Sequence, residues 1–218
     1  PADFTAYKSQ RYRWAFGAMQ IMKARFGWMT RKDSPLSRGQ KFHFLTGWFS
    51  WFADALHLVF TMMAIAWTIG MVGWPKYFSL PMELFLIPII GFFVSKAVFG
   101  IVLYRKRVPC SWHDTIMASI ASMGLSHAIA RGIFLGLWKK KGEFVRTAKS
   151  RRLSSKPSAF ASVREELLMF LALLACIFGM INSNAITYTE GKLWIGILAA
   201  QAIPYASALI GAWVAHQS

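Results

Sequence analysis

The chain has 218 residues, 56% of them hydrophobic and 16% aromatic, and a formal net charge of +16 at pH 7. This composition excludes an ordinary soluble domain, because the apolar residues gather in runs close to the ~20 residues that a bilayer-spanning helix needs. Most basic residues lie between these runs, nine in positions 1–41 and thirteen in 105–164. Such placement follows the positive-inside rule, so we expect the lipid bilayer, and no nucleic acid, as a partner.

The first two segments are a cytoplasmic-side interfacial segment, residues 1–41, and a pair of transmembrane helices, residues 42–104. Residues 1–41 are amphipathic and predicted to be mostly helical. The apolar runs 44–72 and 83–104 are each long enough to cross a bilayer, allowing for tilt. Pro88 lies inside the second run, where it is a potential kink that neighbouring helices can tolerate.

Residues 105–164 are predicted to be an interfacial helix followed by a cytoplasmic loop. The stretch 112–138 is apolar, but it contains His127 and Arg131 and is flanked by strongly basic segments. An amphipathic helix lying at the membrane interface fits these residues better than a third span. Residues 139–164 are polar and rich in Lys, Arg and Ser.

The last segment, residues 165–218, is predicted to be a second pair of transmembrane helices over 166–181 and 193–215. The predicted fold is therefore an all-α polytopic membrane bundle of about four transmembrane helices with amphipathic interfacial helices. The basic segments place both termini in the cytoplasm. We expect a multi-pass protein of the plasma membrane, the inner membrane in a bacterium.

The sharpest motif is formed by Gln10, Arg13 and Trp14, which are followed by Gly17. On a helix these positions share one face. The guanidinium of Arg13 can make paired, charge-assisted hydrogen bonds to a diphosphate, and an indole suits the apolar face of a pyranose. The alternative is an amphipathic surface helix whose Trp and Arg only anchor it at lipid headgroups.

This Gln-x-x-Arg-Trp pattern resembles the hallmark of the processive family 2 glycosyltransferases, which include the cellulose, hyaluronan, chitin and β-1,3-glucan synthases. The resemblance implies that Trp14 stacks on the terminal sugar of the acceptor, with Gln10 and Arg13 near the nucleotide diphosphate. It also implies transfer of hexosyl units from a nucleotide sugar, for which we expect UDP-glucose. The nascent β-glycan would then move across the membrane.

A second part of the resemblance lies in the loop after the predicted interfacial helix. In the family a gating loop closes over the nucleotide, and its order of side chains is similar to Phe144, Arg146, Thr147 and Lys149. A closing loop of this kind excludes water and completes the site. This sequence has Ala148 where the family commonly has Pro, which leaves the closed conformation in doubt. The alternative is a solvated basic loop.

The run 44–72 contains a third group of chemically notable residues, namely Trp48, Trp51, Asp54 and His57. Because a carboxylate inside a membrane span is costly, it usually faces protein or a water-filled path. One interpretation is a lining for the glycan as it leaves the site. The other is structural, with Asp54 paired to Lys96 of the next helix and the two indoles in an interfacial belt.

The family's catalytic carboxylates are not expected within this chain, since Asp3 and Asp33 are not plausible substitutes. They belong to a nucleotide-binding α/β domain, which we expect to precede Pro1 in a longer protein. The divalent cation that the family uses, Mg or Mn, would bind there, and we expect this chain to bind no metal. Alone, the chain is expected to be inactive.

Two other functions remain open from the sequence. A non-processive family 2 enzyme that glycosylates a lipid carrier is one, although such enzymes usually lack the Gln-x-x-Arg-Trp helix. A transporter or channel subunit without a catalytic role is the other, and it would be favoured if no α/β domain preceded Pro1.

Overall fold

A computed structural model describes residues 4–139, 159–183 and 187–217, and all of the regular secondary structure within these ranges is helical. The fold is thus an all-α bundle, as predicted. Its α-helices are α1 (Phe4–Thr30), α2 (Arg38–Gly73), α3 (Met82–Phe93), α4 (Phe99–Arg107), α5 (Trp112–Gly124), α6 (Ser126–Trp138), α7 (Arg164–Asn182) and α8 (Thr189–Gln217). A π-helical segment, Val94–Val98, joins α3 to α4, and a 3-10 turn, Ala159–Val163, precedes α7.

Four helical stretches are long and apolar enough to cross a membrane: Arg38–Gly73, Trp112–Trp138, Ala161–Asn182 and Thr189–Gln217. Three of them contain predicted spans, and the existence of about four such helices is confirmed. The remaining predicted span, 83–104, is not among these four stretches. It lies in α3, the π segment and α4. Residues 112–138 meet the same criteria of length and composition, so their assignment to the interface stays a prediction.

A tight corner joins α1 to α2. Ser37 caps α2, because its hydroxyl accepts from the backbone N–H of Gln40 at 3.2 Å while its own N–H donates to the Gln40 side-chain oxygen at 2.9 Å. This reciprocal capping box satisfies two backbone donors at the start of the helix. The Lys41 ammonium also donates to the carbonyl of Arg31 at 3.1 Å. The orientation of α1 relative to α2 is therefore fixed locally.

The helix over residues 82–107 continues through Pro88 and contains a π-helical segment at Val94–Val98. A π segment adds a residue to one turn, which rotates the side chains that follow, and such segments are frequent at functional sites. Here the segment carries Lys96, whose ammonium lies 2.8 Å from the Asp54 carboxylate of α2. The backbone irregularity and the ion pair thus occur at the same place.

Small residues allow α1 to lie directly on α6. A Cβ atom at Gly132 would fall 2.5 Å from the backbone oxygen of Tyr12, and one at Gly136 would fall 2.8 Å from the Cβ of Met19. Close approach of this kind between small residues is a common way for helices to associate in membranes. The contact brings α1 against α6 along the length that carries the Gln-x-x-Arg-Trp motif.

An apolar core fills the space between the C-terminal half of α2, α3, α7 and the N-terminal half of α8. Within it, the Trp194 indole N–H of α8 donates to the Thr68 hydroxyl of α2 at 2.9 Å. Its buried members are Ala64, Met71, Phe85, Ile89, Leu173, Cys176, Met180, Trp194, Ile197, Leu198, Ala202 and Tyr205.

Candidate functional site

The predicted acceptor residues lie together on α1. Gln10 and Arg13 are half-buried, whereas 51% of the Trp14 surface is exposed. Their spacing puts the three side chains on neighbouring positions of one helix face. The indole of Trp14 is therefore accessible to a ligand from outside the chain.

Arg11 was not predicted as a site residue. Its side chain nevertheless links the helix face that carries Trp14 to the interior of the bundle. Its guanidinium donates to the Tyr7 hydroxyl at 2.7 Å and lies 5.1 Å above the centre of the Tyr7 ring and 5.0 Å from that of Trp14. These distances are within the range of cation–π attraction. The spacing of positions 7, 11 and 14, which follows successive helical turns, could have revealed this stack from the sequence.

A cavity of about 250 Å³ opens beside this stack, where α1, α2, the π segment, α5 and α6 meet. Its wall combines aromatic rings, a guanidinium, an ammonium, a carboxylate and two hydroxyl-bearing side chains. With Arg11 and Lys96 as cations and Asp54 as the anion, the ionisable side chains of the wall sum to one positive charge. Its wall is formed by Tyr7, Arg11, Trp51, Asp54, Lys96, Ser122, Leu125 and Ile129.

The ion pair in the cavity wall is deeply placed. The Asp54 side chain is 1% exposed, that of Lys96 is 15% exposed, and their charged atoms are 2.8 Å apart. The structural pairing considered from the sequence is therefore present. Since the same two residues line the cavity, the pairing does not exclude a lining role. Ionisable side chains within membrane-spanning helices usually face protein or a polar path.

The four residues predicted to line a glycan path do not share one surface. Trp51 and Asp54 line the cavity, whereas Trp48 lines a different pocket between α1 and α2. His57 is buried and stacks on Phe92 with ring centres 4.2 Å apart. Of this group, only Trp51 and Asp54 contribute to the wall of the polar cavity.

Further ion pairs tie the first turn of α7 to α1 and α6. The Lys8 ammonium lies 2.5 Å from the Glu166 carboxylate and donates to the Ser162 carbonyl at 2.6 Å. Glu165 accepts from Arg131 at 2.9 Å and lies 3.0 Å from a ring nitrogen of His127. Sequence reasoning missed this group, because its members come from segments more than thirty residues apart.

The predicted gating-loop residues Phe144, Arg146, Thr147 and Lys149 lie outside the described residues. The last turn of α6, from which that loop departs, is held by α1. Gln20 donates to the carbonyls of Gly136 and Lys139 at 2.7 and 2.8 Å. Lys23 donates to those of Leu137 and Lys139 at 2.9 and 2.7 Å. These bonds satisfy carbonyls that have no hydrogen-bond partner within the helix, because they lie at its C-terminal end. The Lys23 cation is also stabilised by the negative end of the helix dipole.

Within residues 4–139, 159–183 and 187–217, no group of three or more His, Cys, Asp and Glu side chains is arranged to hold a metal ion. Comparison of the chain with protein-family models, with curated proteins and with solved structures finds no match. The motif, the cavity and the charges that surround it are therefore the features that bear on function.

Proposed function

We propose that the chain is the membrane-embedded acceptor and translocation part of a processive family 2 glycosyltransferase. In this proposal a separate α/β domain supplies the catalytic carboxylates and the divalent cation. The full-length enzyme transfers hexosyl units, with UDP-glucose as the donor, to a growing β-glycan and moves the glycan across the plasma membrane.

The observation that most supports the proposal is the position of the Gln-x-x-Arg-Trp helix beside a polar, aromatic cavity in a membrane bundle. Tyr7 and Arg11, on the same helix as Trp14, form part of the cavity wall. Trp51 and Asp54 form another part. From the exposed Trp14 indole inward, the site offers aromatic rings and hydrogen-bonding groups. This combination suits a sugar chain, because sugar rings have apolar faces and hydroxyl groups at their edges.

Two features of α1 fit a binding helix better than a simple anchor. The α1–α6 contact is too close for side chains larger than hydrogen at Gly132 and Gly136, so the helix has a defined position. Arg11 is also held between two aromatic rings, one of them Trp14. A group that must orient an acceptor hydroxyl needs this kind of support, because small misplacement lowers the rate steeply.

Substitution of Trp14 in the full-length enzyme tests the proposal. We expect Trp14→Ala to lower polymer formed per inserted molecule by about 100-fold, since the acceptor loses its orienting contact. Arg13→Lys should also fail, because an ammonium keeps the charge but lacks the planar fork. Trp213→Ala is the matched control, since Trp213 is 54% exposed on α8. Equal elongation by the Trp14→Ala and Trp213→Ala enzymes would refute the acceptor-site assignment.

A further inference from the structure

A second pocket lies between the C-terminal part of α1 and the start of α2, away from the cavity described above. Its volume is about 280 Å³, and it is lined by Ile21, Arg25, Trp28, Met29, Leu36, Phe44 and Trp48. Six of these seven residues are apolar, and Arg25 is the one charged member. The pocket therefore offers an apolar interior beside a single permanent cation.

The floor and the rim of this pocket differ in exposure. Met29 and Trp48, which form the floor, are 2% and 7% exposed, whereas Ile21, Trp28 and Phe44 are between 41% and 53% exposed. An apolar cleft that opens outward between exposed aromatic side chains suits part of a flexible hydrocarbon chain. The polar cavity beside Trp14 has no such character.

The position of the pocket indicates what surrounds it. Phe44 and Trp48 lie in the first turns of α2, which is long and apolar enough to cross a membrane. Trp side chains are enriched at the level of the lipid headgroups. The mouth of the pocket is therefore expected beside the headgroup region, where acyl chains and phosphates lie next to one another.

The charges near the pocket favour an anionic headgroup. Besides Arg25, the corner between α1 and α2 carries exposed basic side chains with one acidic residue, Asp33, among them. Basic residues close to an anionic membrane surface attract it. The guanidinium can also bind a phosphate through paired hydrogen bonds. These basic side chains are those of Arg31, Lys32 and Arg38.

We infer that this α1–α2 pocket binds one anionic phospholipid, with part of an acyl chain between Trp28 and Trp48 and the phosphate on Arg25. Bound lipid would fill the space between α1 and the start of α2 and so support the orientation of α1. The inference requires that the chain lie in a membrane, but it does not depend on glycan synthesis, so the two proposals can fail independently.

Lipid retention by the purified full-length protein tests the inference. The protein is incubated with equal amounts of phosphatidylglycerol and phosphatidylcholine that carry the same acyl chains, washed with detergent, and examined by native mass spectrometry. We expect one retained phosphatidylglycerol per chain. Arg25→Gln should lower the preference for it about fivefold. Lys32→Gln, an exposed basic residue of the same corner outside the pocket, should change it by less than about twofold.

A pocket-filling variant separates acyl-chain binding from general attraction to the headgroup. Leu36→Trp should abolish retention of phosphatidylglycerol, because the larger side chain occupies the space of the acyl chain. Displacement of the lipid by equimolar glycerol phosphate would show that the headgroup alone binds and would overturn the inference. So would equal retention of both lipids, or retention unchanged by Arg25→Gln and Leu36→Trp. A lipid-free dimer dispersed by Leu36→Trp would assign the pocket to a second copy instead.

Discussion

The two ends of the long helices have different interiors. Around α1, α5 and α6 the bundle contains ion pairs at Asp54–Lys96 and Lys8–Glu166, and we call this part the ion-pair region. At the other end lies the apolar core. The same helix passes through both, since α2 has Asp54 in the first and Met71 in the second.

This difference indicates which part of the molecule has a role beyond folding. Lipid tails are as apolar as leucine, so close packing of side chains is enough to account for an apolar interior in a membrane protein. Buried ionisable groups are expensive there and are usually kept for binding or transport. The ion-pair region also contains the polar cavity and the Gln-x-x-Arg-Trp helix. We therefore expect substitutions in the two regions to separate activity from stability.

The largest effect on stability is expected from Asp54. The Asp54→Leu variant leaves the Lys96 ammonium without its partner, and removal of one member of a buried pair costs about 3 kcal/mol or more. The double variant Asp54→Leu/Lys96→Met should recover most of that loss, because no unpaired charge remains. The free energy of unfolding, measured by titration with a denaturing detergent, checks both expectations.

The control for this prediction is a pair in the same region that faces outward. Arg131 and Glu165 are 49% and 35% exposed in their side chains, so Arg131→Gln should cost at most about 1 kcal/mol. If Asp54→Leu were no more costly than Arg131→Gln, the Asp54–Lys96 pair would have to be solvated, and its description as part of a buried wall would be wrong.

A smaller effect is expected where α1 contacts α6. Gly132→Ala should destabilise the protein by about 1–3 kcal/mol, because the new methyl group overlaps the backbone of Tyr12 and the helices must separate. Limited proteolysis should cut α1 faster in this variant. In Gly196→Ala the added Cβ has no atom within 4 Å, so stability should not fall. Equal proteolysis of the two variants would contradict the close α1–α6 contact.

The smallest effect is expected in the apolar core. Trp194→Phe removes the indole hydrogen bond to Thr68 but keeps an aromatic ring beside Phe85. The hydrogen bond itself should contribute about 1 kcal/mol, which is typical of one such bond. A double-mutant cycle with Thr68→Val measures it. Activity per folded molecule should stay unchanged, and a selective loss of activity would show that the apolar core also takes part in function.

Helix content and approximate bounds could be predicted from the sequence, because apolar runs and basic flanks are local properties. The predicted run 44–72 lies within α2, and 193–215 lies within α8. The π segment at Val94–Val98 could not be predicted, since no local pattern marks it.

The candidate site was predictable only in part. The motif at Gln10, Arg13 and Trp14 depends on local spacing and falls on a single helix, as expected. The contact of Lys8 with Glu166 depends on how distant helices pack, and hydrophobic periodicity carries no information about that. Arg11 is not one of the residues that define the Gln-x-x-Arg-Trp pattern, although helical spacing alone places it between Tyr7 and Trp14.

The size and linkage of the product distinguish a processive synthase from the other candidate functions. Purified full-length protein in proteoliposomes is given radiolabelled UDP-glucose and Mg²⁺, and the labelled product is separated by size and treated with a β-glucanase. We expect long polymer that the glucanase degrades, present even when most of the donor is unused, because a processive enzyme extends the same chain repeatedly. Label found only in a lipid-linked monosaccharide, or in no product at all, would contradict it.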